Sequence, residues 1–266
     1  MDSLADMLRL LDARTGSRAE VRPARRGVLR VCAHVPPATG GADITAVRTL
    51  LTADLLARTG ELRGLQVLTA LDLTASSPEQ AAAIDDDAGA LGIHPPATRA
   101  ICRDAPSSLG GPVDVHVAGR GAHVDPGQDG PLVRVGAARL DHAGSGAGDA
   151  LVAAHRGNPL ALRLALMSFT IGEPVVLTGD ELVRAADRLT SWRERVAQWA
   201  ESPSRPVPAT LAETVQTAFG DLDTVLALAV LYGLPADASV PPGAKFETFV
   251  YADRILGLDL ARDIGR

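Results

Sequence analysis

Apolar positions fall into two regimes along the chain, short continuous runs in the first half and helical spacing in the second. Residues 28–35, VLRVCAHV, are a β-branched run closed by Pro36-Pro37, and the Pro/Thr/Gly stretch after it gives way to Ile44, Val47, Leu51 and Leu55 at helical spacing. That order predicts a strand, a loop and a helix. Asp43 is placed to cap the helix, Gly60 to end it, and residues 65–71 to return as the buried strand of a βαβ unit. Ser77-Pro78-Glu79 opens another helix, running to about Leu91 with Gly92 as its stop, and residues 113–117 and 132–135 read as two more strands. Ahead of all this, residues 1–11 are a short helical or strand-like lead and residues 12–16 have turn chemistry.

Beyond the glycine-rich residues 143–148 the pattern is helix throughout. Asn158-Pro159 starts one helix. Thr178 with Glu181 makes a capping box for another, whose Leu182, Ala185, Leu189, Trp192, Val196 and Trp199 share one face as core packing. After the proline-rich residues 203–208, further helices are expected to begin at Thr210, Leu222 and Lys245, the last ending near Gly257. The expected architecture is α/β: a Rossmann-like parallel-sheet domain at residues 1–145, then an all-helical domain at residues 146–266.

Composition narrows what the site can do. Of the 26 basic residues in the 266-residue chain, Lys245 is the only lysine, so chemistry needing a mobile lysine in the N-terminal half is excluded. A net charge of −6 argues against a nucleic-acid partner. There is no run of eighteen apolar residues and no signal-peptide pattern, which predicts a cytoplasmic protein with no membrane partner. Cys32 and Cys102 are the only cysteines, and a structural disulfide between them is not expected in a reducing compartment. A phosphate-bearing ligand would sit where the first strand hands over to the helix N-terminus.

Six segments, taken in order, resemble a known family: VCAHVPP at 31–37, DITAVRT at 43–49, DDDAGALGIHPP at 85–96, DVHVAG at 114–119, NPLALRLALMS at 158–168 and DELVRAADRLTSWRERV at 180–196. The chain is similar to cysteinyl-tRNA synthetase, and more so to its actinobacterial relative, the ligase that joins cysteine to glucosaminyl-inositol in mycothiol synthesis. The resemblance implies a HUP-type sheet with an adenylate pocket, for which the matching positions are His34, Thr39, Asp43, Thr45, Asp114, His116 and Gly119. It implies zinc at Cys32 and Cys102, near His34 and the loop around His123, and ATP as a further ligand. The departures carry equal weight. The HIGH motif becomes Asp43-Ile44-Thr45-Ala46, and Gly144-Ser145-Gly146-Ala147-Gly148 stands where a KMSKS loop would be. Both motifs stabilise charge on the transferring phosphates, so their loss removes the largest catalytic term and leaves no residue in a catalytic role. The expectation is a pseudoenzyme that binds a small molecule or a protein partner, without tight tRNA binding. The alternative is an active ATP-dependent, adenylate-forming ligase for cysteine or another amino acid, with Arg48, Arg120, Arg134 or a partner subunit replacing the lost cations. A third reading is a purely structural subunit of a larger assembly.

Overall fold

The computed structural model describes residues 8–36, 44–73, 77–99, 105–125, 129–141 and 158–266. The lead is a hairpin, β1 (Arg9–Asp12) against β2 (Ser17–Glu20). A five-stranded sheet follows, built from β3 (Val28–His34), β4 (Gln66–Asp72), β5 (Thr98–Arg99), β6 (Val115–Gly119) and β7 (Leu132–Val135). Its order is β5-β4-β3-β6-β7 with every pairing parallel, which is a Rossmann-like arrangement flanked by helices. Helix α1 (Ile44–Leu62) crosses from β3 to β4, α2 (Pro78–Ala90) from β4 to β5, and the single turn α3 (Ala105–Ser108) precedes β6. Alternate residues of β3 divide between the faces. Leu29, Val31 and Ala33 enter the main core, while Cys32 joins a small second cluster with Ala70, Leu109 and Val113.

The C-terminal half contains α4 (Pro159–Met167), α5 (Gly179–Ala200), α6 (Ala209–Gly220), α7 (Thr224–Gly233) and α8 (Pro242–Leu256). It is not helix alone. Val175–Leu177 forms a strand, β9, parallel to β8 (Ala138–Leu140). A three-residue strand carries too little periodicity to register among helical signals, and it is fixed by a partner 37 residues earlier. The expected capping box forms, Thr178 and Glu181 exchanging side-chain to backbone bonds at the start of α5, and the structure adds a second one between Ser77 and Gln80 at the expected start of α2. Trp192 and Trp199 pack on Phe249 with ring centroids 5.5 and 5.3 Å away, as core side chains. Helix α1 runs past Gly60 to Leu62. A Cβ at Gly60 would meet Val67 Cγ2 at 3.0 Å, so this glycine admits the sheet to the helix, and the chain instead turns at Gly64, whose φ is +77°.

The expected domain boundary at residues 145/146 lies outside the described residues. The flanking halves share one continuous core, and α1 packs directly on α8. A buried ion pair joins them. Arg163 of α4 donates Nη2 to Asp54 of α1 at 2.6 Å, Nη1 to the Leu91 carbonyl and Nε to the Leu256 carbonyl, with no exposed surface. Asp54 also accepts from Arg58 and from the His94 backbone. Burial pushes the Arg163 guanidinium below its ordinary value, and Asp54 works against that shift. Asp54→Ala strips the partner from a buried cation and is expected to lower unfolding free energy by about 3–5 kcal/mol in denaturant titration. Asp85→Ala removes only the open Asp85–Arg99 pair and is expected to cost less than about 1 kcal/mol; equal losses would mean that the Asp54 pair does not join the halves.

Candidate metal centre

The strand order reverses between β3 and β6, and ligands of open α/β sheets bind outside the carboxyl ends of the strands at such a switch. Parallel pairing sets Cys32 opposite His116, and His34 opposite Asp72 on the other neighbour. Cys32 and His34 are two residues apart on β3, hence on one face. The result is a buried cluster in which the ligand atoms of Cys32, His34 and His116 lie within 4.8 Å of one another.

Hydrogen bonding around the two rings is directional. His34 Nε2 lies 3.0 Å from His116 Nδ1, and His34 Nδ1 lies 3.4 Å from Asp72 Oδ2. The His116 ring also bonds the backbone of Asp129, a contact that favours the protonated ring and therefore uses the carbonyl. The 3.0 Å contact between His34 Nε2 and His116 Nδ1 is a ring-to-ring hydrogen bond whose donor depends on the tautomer, and the same two nitrogens, with the Cys32 thiol beside them, are atoms of the kind that ligate a metal ion. Nitrogens on a tetrahedral zinc stand roughly 3.3 Å apart, and metal-ligating histidines usually give their outer N–H to a carboxylate or carbonyl. The residues therefore fit a transition-metal ion.

The hairpin steadies this arrangement from outside. Asp12 Oδ1 accepts from Leu132 N, Ala13 N donates to Leu132 O, and Arg14 bonds the Gly130 carbonyl, fixing the segment that carries Asp129. Asp72 and Asp129 are absent from the sequence-based candidates. Asp72 was legible as the lone acid ending an apolar strand, whereas the Asp129 carbonyl left no signal because its chemistry is main-chain.

Of the other candidates, Thr39, Asp43 and Cys102 lie outside the described residues. His123 is not part of the cluster. Asp114 sits just before β6, at the opposite end of the sheet, where its carboxylate accepts from the Ala24 and Arg30 amides. Thr45 Oγ1 bonds both the carbonyl and the amide of Ala138, clamping α1 to β8. A Cβ on Gly119 would meet Thr49 Oγ1 at 2.5 Å and Pro36 Cδ at 2.7 Å, so the space this glycine leaves is filled by packing. Arg48 gives its guanidinium to the carbonyls of Gly136, Thr170 and Glu173, and burial lowers its pKa to about 10. Arg134 reaches the carbonyls of Gly119 and Ala122, and Arg120 is exposed. No protein-family model matches the chain, and no curated protein matches it.

Burial first, and the charge of His34 second, push the His116 pKa down from 6.5 to about 4. A depressed histidine favours the neutral ring in the folded state. Its contribution to stability is fully present above about 6.5 and is lost as pH falls toward about 4. In the presence of a chelator, the thermal midpoint is expected to drop across that window, and His116→Gln should flatten the drop; an unaltered slope in the variant would assign the loss to other groups.

Proposed function

We propose that this chain is a HUP-type relative of cysteinyl-tRNA synthetase and the mycothiol cysteine ligase, degenerate in its activation motifs. It binds zinc at Cys32, His34 and His116, and a small molecule or protein partner at the adjoining strand ends, in the cytoplasm. The observation that carries the reading is the buried cluster at the switch point, in which the two imidazoles touch and the ligand atoms of Cys32, His34 and His116 lie within 4.8 Å of one another. A thiol and two imidazoles are a donor set suited to zinc. When bound there, the ion supplies a Lewis acid and a template. The protein's own residues do the rest. Asp72 orients His34, the Asp129 carbonyl orients His116, and burial keeps bulk water from all three side chains.

Loss of activation chemistry is supported by what the surviving residues are engaged in. Thr45, within the segment replacing the HIGH motif, is bonded to β8, and Arg48 and Arg134 are bonded to main-chain carbonyls rather than directed at a ligand. Protein purified without chelator is expected to contain about one equivalent of zinc by elemental analysis, and His34→Ala and His116→Ala to contain well under half of that. Wild-type protein free of zinc, nickel and copper after purification in metal-replete medium would overturn the metal reading. Cysteine-dependent exchange of pyrophosphate into ATP is expected to stay at background; robust exchange by the purified chain alone would instead establish an active ligase.

A further inference from the structure

A cavity of about 460 Å³ lies between α1, α2 and β4, on the face of the sheet opposite the histidine pair. Its origin is the sequence of α2. PEQAAAIDDDAGA offers mostly alanine, glycine and aspartate, and Ile84 is the only residue of the helix that is buried. Side chains this short leave the helix standing off the strands it should cover. Parallel strands are normally buried on both faces, yet Val67 and Thr69 in the middle of β4 are only half-buried.

We propose that this cavity is a binding site for a small, uncharged, predominantly apolar molecule. Leu50, Ala53 and Ala57 of α1, with Leu71 and Ile93, form a dry wall. The main-chain donors beside it are engaged: Ile93 N with Ala88, His94 N with Asp54, and Ala97 N with Thr69. The buried carboxylate at the floor, Asp54, is held by Arg58 and Arg163, so the interior offers no counter-charge for an ionic ligand. At the mouth Arg99 and Asp85 close on each other at 2.7 Å, while Glu61 at the far lip is exposed to water. Thr69 brings the one hydroxyl-bearing side chain among the described residues that line the cavity. The volume falls within the range of small-molecule sites, which are mostly apolar with few polar groups.

The test is a fluorescence titration of the full chain with N-phenyl-1-naphthylamine, a neutral apolar probe. Saturable uptake at one site is expected. Ala88→Phe and Ala97→Leu, which enlarge lining side chains at half-buried and exposed positions, are each expected to weaken uptake at least about tenfold. Leu226→Glu, on the exposed apolar face of α7, is expected to leave it unchanged. Absent or non-saturable uptake, uptake unaltered in whichever plugged variant folds, or loss in Leu226→Glu would overturn the proposal. Titration of the wild-type protein with and without chelator, expected to agree, separates this site from the metal reading, since each can fail while the other stands.

Discussion

The ion pair between Asp54 and Arg163 fixes where everything else can be. Arg163 has no exposed surface and reaches Asp54 of α1, the carbonyl after α2 and the carbonyl ending α8 with one planar fork. Neither charge can be left alone, because an unpaired ion at that depth costs far more than the pair contributes when intact. The helices of the C-terminal half are thereby held against α1 on one face of the sheet. Polar side chains of β3 at alternate positions must then occupy the other face, and that is where Arg30, Cys32 and His34 are found.

Sequence pattern disclosed what is local. The strands β3, β4, β6 and β7 are short β-branched runs, and the helices α2 and α5 announce their starts by Ser77-Pro78 and by a capping box, each within four residues of sequence. Long-range partners stayed silent. Asp54 and Arg163 are 109 residues apart and look like ordinary surface charges on amphipathic helices. Strand β9 exists because β8 is beside it, and Gly60 reads as a helix stop until the Val67 side chain is seen to need its missing Cβ. The same division applies to the candidate centre. Cys32, His34 and His116 entered as candidates through the family resemblance, and the Cys32–His116 register was not legible, since register between parallel strands depends on crossover helices rather than on either strand.

Arginine does the work here that aromatic side chains do in many cores. The chain is 3% aromatic, and four deeply placed arginines instead bind main-chain carbonyls at points where segments meet: Arg30 with Leu109 and Gly110, Arg48 with Gly136, Thr170 and Glu173, Arg163 with Leu91 and Leu256, Arg193 with Leu258 and Asp259. Each fork satisfies carbonyls that loop geometry leaves without strand or helix partners. A lysine could supply the charge but not the several fixed donor directions, so the bias toward arginine has a structural use whatever its origin.

That use constrains function. A guanidinium that holds two or three carbonyls in place cannot swing toward a phosphate without breaking the packing it organises, and burial already lowers the pKa of Arg48 to about 10. Transition-state charge on a transferring phosphoryl group needs cations aimed at open space and held there before the reaction begins. Among the described residues, the buried arginines are held by main-chain carbonyls and, for Arg163, by Asp54 as well. The described residues gathered at the strand ends include a histidine whose ring burial keeps neutral, its partner histidine and a thiol, a set suited to gripping a soft cation.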